Sequence, residues 1–163
     1  MRSCEVIREM ISFFGTAKKY IAHALKVYAY AFTIAELEKQ HGERLEAVVY
    51  AAILHDVGIK IAREKYGSCS DRQQEEEGPP QAEKILLTLG VNKSIIDRVC
   101  YLIAHHHSPE TSEDIDFRIL LEADYLVNLE EENIHISMKD EIFDKHFRTT
   151  SGKMLFEMMF NKL

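Results

Sequence analysis

Two polar residues, His55 and Asp56, stand side by side after the apolar run AVVYAAIL at 47–54. On a helix through this region, the residues three, four and seven positions before each of them are apolar, so both side chains are predicted to face the core. An unpaired carboxylate is unfavourable in such a place. A cationic side chain or a metal ion is therefore expected beside Asp56.

The same helical spacing places other histidine and aspartate residues on apolar stripes: His23, Asp124, His106 and His107. His105 falls on the stripe of Arg98 and is expected to point inward less well than these. A lone core histidine is ordinarily explained by a hydrogen bond to a backbone carbonyl. Taken together, these residues offer imidazole nitrogens and carboxylate oxygens, which suit a divalent transition metal. A core of packed helices builds such sites naturally.

The elements that must position these residues are predicted to be helices. Apolar residues recur with helical spacing along the chain, and only short runs such as 134–136 are ambiguous. The fold class is therefore all-α. Helices are expected at about 3–14, 17–40, 43–57, a short piece ending at 66, 79–89, 93–106, 116–131, 139–147 and 152–161.

The stretch GSCSDRQQEEEGPP at 67–80 is predicted to be a long loop. It is polar and charged, and it closes on Gly78 and two prolines. Pro79 and Pro80 suit the first turn of the helix that follows, because proline lacks the N–H that a first turn leaves unpaired. The run 73–77 is then interpreted as part of a solvated loop.

Length, charge and cysteine content narrow the class of protein. A chain of 163 residues with 46% hydrophobic residues fits one domain. The net charge of -7 argues against binding to a nucleic-acid backbone and favours a small substrate. Three scattered cysteines predict reduced thiols. With no signal peptide and no apolar run approaching the roughly 20 residues of a membrane span, the protein is expected to be cytoplasmic and without membrane contact.

The order of these residues resembles the HD superfamily of metal-dependent phosphohydrolases. The resemblance covers about residues 15–130 and lies in five segments: HALKVYAYA, AAILHDVGIK, GPPQAEKILLTLG, VCYLIAHHHS and LLEADYLVNL. It implies a compact HD-type helical bundle. The chain is then expected to be one domain over 1–163, with the motif core at about 15–130 and C-terminal helices at 137–163.

The resemblance also implies a ligand set and a reaction. His23, His55, Asp56 and Asp124 would bind a divalent ion (Mn, Fe, Co, Ni or Zn), and Asp56 and Asp124 would be catalytic. The pair His106 and His107 matches histidines that two-metal members use for a second ion. The implied activity is hydrolysis of a phosphate ester, such as that of a nucleotide, by a metal-activated water.

The sequence departs from the family pattern at two places. Near Gln74, where two-metal members have a further histidine, the chain offers only Gln74, Glu75 and Glu77. We therefore expect one bound ion, with two ions as the alternative. Many members have a lysine directly after HD-x-G, but here Ile59 intervenes, so Lys60 is the candidate for substrate contact.

Two other functions remain open at this point. The same set of histidine and aspartate side chains could hold two iron ions and carry out oxygen chemistry. Alternatively, the protein could be a non-catalytic module that binds a metal or nucleotide. The apolar residues within 154–160 predict the packing face of a terminal helix, with a homodimer contact as the alternative.

Overall fold

The fold was obtained as a computed structural model that describes residues 1–131 and 136–160, with side chains described outside 132–140 and 161–163. The described residues form helices and no strand, which confirms the all-α prediction. The helices are Ser3–Phe14 (α1), Lys18–Leu37 (α2), Gly42–Leu54 (α3), Val57–Tyr66 (α4), Asp71–Thr88 (α5), Lys93–Ala104 (α6), Ile115–Glu131 (α7), Ile136–His146 (α8) and Thr150–Phe160 (α9).

Helix α3 is the centre of the core. All eight residues of its apolar run 47–54 are buried, so this helix is covered on every side, as a continuous apolar run predicts. It packs against α2, α6 and α7, which surround it. The predicted helix 43–57 nevertheless ends early. A break between Leu54 and Val57 leaves His55 and Asp56 at a junction between α3 and α4.

The predicted loop at 67–80 is wrong, because α5 begins at Asp71 and runs through both prolines. Its start carries a capping box: the Ser70 hydroxyl accepts from the Gln73 backbone N–H, and the Gln73 side chain accepts from the Ser70 N–H. A proline inside a helix costs about 3 kcal/mol. Packing of α5 between α4 and α6 outweighs that cost. The S-x-x-Q spacing was the local clue to this helix.

Two glycines let α4 and α5 approach closely. A Cβ on Gly58 would lie 2.5 Å from the carbonyl oxygen of Gln74 and 2.9 Å from the nitrogen of Gly78. A Cβ on Gly78 would lie 2.7 Å from a methyl group of Ile103 on α6. Glycine at both positions therefore brings α5, with Gln74, against the junction that carries His55 and Asp56.

The C-terminal helices begin and end near the predicted bounds, although positions 134, 135 and 161–163 lie outside the described residues. The start of α9 is held by Glu122 of α7, whose carboxylate accepts from the backbone N–H groups of Arg148 and Thr149. Phe156 is buried, as a packing face predicts, but Met154 and Met158 are exposed. None of the described helices is apolar over the length that crossing a membrane requires.

Candidate metal centre

His55 lies at the end of α3 with its ring orientation set by the backbone. Its Nδ1 is 3.0 Å from the carbonyl oxygen of Ala52, which can only accept, so Nδ1 carries the proton. Nε2 is then a lone-pair donor directed away from the helix. His55 is 1% exposed, and Asp56, the next residue, presents its carboxylate to the same space.

His23 on α2 and Asp124 on α7 bring their side chains to this junction. The Nε2 atom of His23 is 3.3 Å from that of His55 and 3.1 Å from Oδ1 of Asp124. It is also 3.7 Å from Oδ2 of Asp56. The Nε2 atom of His55 is 3.6 Å from both carboxylates. The structure thus brings together the four residues that the sequence singled out as the main ligand set.

The spacing of these atoms fits ligands around one ion. Metal–ligand bonds of about 2.1 Å place neighbouring ligand atoms about 3.0 to 3.4 Å apart in octahedral or tetrahedral geometry. His23, His55 and Asp56 offer donor atoms that all lie within 4.8 Å of one another. Two imidazole lone pairs 3.3 Å apart repel each other unless a proton or a metal ion lies between them. The donor set therefore fits a divalent cation.

The electrostatics of the site favour a positive charge. Burial lowers the pKa of His23, but hydrogen bonding to Asp124 and the charges of Asp56 and Asp124 outweigh it and raise that pKa to about 9. Burial would raise the pKa of Asp124, yet the hydrogen bond to His23 and the nearby imidazoles hold it at about 2. In the metal-free protein, the proton on His23 balances part of the negative charge of Asp56 and Asp124, which a bound cation would otherwise balance.

His106 follows the end of α6, and its Nε2 has no hydrogen-bond partner among the described residues although it is buried. Its Nδ1 is 2.7 Å from the carbonyl oxygen of Ile103, so Nε2 again bears the lone pair. Burial, together with His107 and His55, lowers the pKa of His106 to about 3. The Nε2 atom lies 4.0 Å from Oδ1 of Asp56, whereas the Nε2 atom of His23 lies near the other oxygen, Oδ2.

Gln74 and His107 lie beside His106. The Nε2 atom of His107 is 3.2 Å from Oε1 of Gln74, and Gln74 is only 9% exposed. Glu75 accepts from the backbone N–H of His107 and from the hydroxyl of Ser108. Glu77, in contrast, binds Lys65 and Tyr66. Neither glutamate is among the residues that line the cavity at this site.

A cavity of about 550 Å³ opens above these residues. Besides His23, Asp56, Asp124, Gln74 and His107, it is lined by residues that the sequence did not single out as a site: Lys19, Tyr20, Asn128 and Glu131, with Ile59. Lys19 precedes His23 by one helical turn, and Asn128 and Glu131 follow Asp124 by one and two turns. Helical spacing from the predicted ligands was the clue that could have found them.

Lys60 is not brought to the site. Its ammonium donates to the carbonyl oxygen of Phe13 at 2.7 Å and lies 4.9 Å from the centre of the Phe13 ring. The intervening Ile59 moves the lysine around α4, so that Ile59 lines the cavity and Lys60 contacts α1. His105 is turned back onto its own helix, with Nδ1 2.8 Å from the carbonyl oxygen of Tyr101.

Comparison with known proteins shows the family to which the chain belongs. The HD domain family model matches residues 20–129, and the chain belongs to that family. Among solved structures, the fold is similar to that of a predicted HD superfamily hydrolase from an uncultured Thermotogales bacterium. That match has a TM-score of 0.63 and 24% identity, and it covers 94% of this chain and 80% of the other. A search of curated proteins found no match.

Proposed function

We propose that this protein is a metal-dependent phosphohydrolase that cleaves a phosphate ester of a small molecule, such as a nucleotide. The observation that carries the proposal is the convergence of His23, His55, Asp56 and Asp124 on one point at the floor of a cavity. Membership of the HD domain family supports it. The cofactor proposed is one divalent ion, held by these four side chains.

A bound divalent ion would polarise a phosphoryl oxygen and acidify a water molecule. The chain itself orients the ligands: His23 and His55 present Nε2, and Asp56 and Asp124 supply negative charge. Oδ1 of Asp56 lies 4.0 Å from Nε2 of His106, and Oδ2 lies 3.7 Å from Nε2 of His23. Asp56 and Asp124 both line the cavity, so either carboxylate would be placed to accept a proton from an attacking water. Asp56 and Asp124 are thus the proposed catalytic carboxylates.

The cavity suggests the size and charge of the substrate. A volume of about 550 Å³ is within the range of small-molecule pockets. Asp56, Asp124 and Glu131 make the cavity acidic, and Lys19 is the one lysine or arginine among its described lining residues. Lys19 would attract the phosphate group, and one ammonium suits a small phosphate ester better than a polyanion.

The test is the metal content of the purified protein beside that of an Asp56→Ala variant. We expect about one divalent ion per chain in the wild type, its loss in Asp56→Ala, and unchanged content in Asp97→Ala, an exposed aspartate on α6. Phosphate release from monoesters and nucleotide release from diesters are then measured with the metal found. Asp56→Ala should lose turnover while its helical circular dichroism is retained.

The result separates this function from its rivals. A wild type that binds no ion after reconstitution would contradict the proposal. Bound iron with an oxygen-dependent product and no phosphate release would indicate an oxygenase. Stoichiometric metal without turnover on either class of ester would indicate a binding module.

A further inference from the structure

His23 differs from His55 and His106 in the group that its Nδ1 atom contacts. The Nδ1 atoms of His55 and His106 face backbone carbonyl oxygens, which no side-chain substitution can remove. The Nδ1 atom of His23 instead lies 3.1 Å from Oε2 of Glu131. The proton on this ring is therefore controlled by a carboxylate.

Glu131 is placed by the same helix that supplies Asp124. It follows Asp124 by seven residues on α7, which is two helical turns, so both side chains face α2. Its other oxygen, Oε1, accepts from Lys26 at 3.4 Å. The adjacent Glu130 also accepts from Lys26, at 2.9 Å, but it is more exposed and makes no contact with His23 within the described residues.

A His23 ring that binds a metal ion through Nε2 keeps a single proton, and two positions of that proton have to be distinguished. With the proton on Nδ1, it is donated to Glu131, and Nε2 has a free lone pair. With the proton on Nε2, it is donated to Oδ1 of Asp124 at 3.1 Å, and the nitrogen cannot bind a metal ion. Oε2 of Glu131 is placed to accept from Nδ1–H, which stabilises the first arrangement relative to the second.

We propose that Glu131 is a positioning residue that keeps the His23 proton on Nδ1 and so presents Nε2 to the metal ion. This inference rests on the proposed function for the presence of the ion. The carboxylate also makes the ring a stronger electron donor, as outer carboxylates do for metal-bound histidines. In this proposal Glu131 acts on the ion through His23 and is not itself a ligand.

The test is a titration of the metal-free protein with Co²⁺, followed by its visible absorption, in the wild type and three variants. We expect Glu131→Ala to weaken Co²⁺ binding by about tenfold to a hundredfold. Glu131→Gln should lose less, because its amide oxygen can still accept from Nδ1–H. Glu130→Gln removes the other carboxylate that pairs with Lys26. The Co²⁺ affinity of this control variant should stay within about twofold of the wild-type value.

Each outcome decides the inference. Equal affinity in Glu131→Ala and wild type would overturn it, even if the variant melted at a lower temperature, and would leave the proposed function standing. A loss of affinity in Glu130→Gln as large as that in Glu131→Ala would overturn it too, since a general charge effect would then explain both. A wild type that binds no Co²⁺ would overturn the proposed function and this inference together.

Discussion

The ring orientations of His23, His55 and His106 are set by the groups that their Nδ1 atoms contact. For His55 and His106 that group is a carbonyl oxygen of the preceding helical turn. A histidine just past the end of a helix can fold back in this way because that carbonyl oxygen has no N–H of its own to accept from. Both rings then aim Nε2 into the site without help from another element.

We propose that Gln74 limits the site to one ion. Its amide oxygen lies 3.2 Å from Nε2 of His107, in the half of the site that also contains His106. An amide oxygen is a weaker ligand for transition metals than an imidazole nitrogen. Gln74→His should therefore raise the metal content from about one to about two ions per chain, measured by elemental mass spectrometry.

The control for this change is Glu76→His, which adds a histidine on an exposed face of the same helix. It should leave the metal content unchanged. If Gln74→His also stays at the wild-type content, His106 and His107 do not form the second half of a metal site.

Side-chain types and helical spacing were sufficient to find the main ligand set but not its surroundings. His23, His55 and Asp124 each interrupt an apolar stripe, and polar residues are costly there. Lys19 and Glu131 lie on partly exposed faces, where polar residues are ordinary. Nothing local distinguishes Glu131 from Glu130 until α2 packs against α7.

At the scale of elements, the prediction from sequence is wrong where tertiary packing overrides the local secondary-structure preference. The pair Pro79 and Pro80 normally marks a helix start, yet α5 continues through both. Close contact of α5 with α4 at Gly58 and Gly78 depends on long-range packing that local propensity does not include. As a result, local sequence signals predict a solvated loop at Gln74, although this residue is buried in the site.

The contact between α4 and α5 predicts an unequal response of the two glycines to alanine. The Cβ of Gly58→Ala would meet backbone atoms of Gln74 and Gly78, which cannot move without shifting α5. We expect a loss of about 1 to 3 kcal/mol in the free energy of unfolding. The Cβ of Gly78→Ala would come closer than 3 Å to one atom, the Cγ2 methyl of Ile103. That atom belongs to a side chain and not to the backbone of a neighbouring helix, so the loss should be smaller.

Urea denaturation of the metal-free proteins measures both changes. An alanine in place of glycine inside a helix is otherwise stabilising by about 0.5 to 1 kcal/mol, so the sign is informative. A Gly58→Ala protein as stable as the wild type would mean that α4 and α5 are less closely packed than described.

At the scale of the whole molecule, folding, proton binding and metal binding are linked through His23. Its pKa is raised above the value of 6.5 in an unfolded chain to about 9. In the metal-free protein, the stability from this group is fully present below pH 6.5 and is lost as the pH rises through 9. A metal ion must displace the same proton, so the ion binds more tightly as the pH rises toward 9.

The stability added by a metal ion should therefore depend on pH. Displacing one proton changes the free energy of metal binding by about 1.4 kcal/mol per pH unit below the pKa of His23. We expect the increase in the free energy of unfolding caused by a fixed excess of Mn²⁺ to be larger at pH 8 than at pH 6.5. Urea denaturation with Mn²⁺ or with EDTA measures it, and Asp56→Ala should show no increase at either pH. An equal increase at both values in the wild type would mean that metal binding does not displace the His23 proton.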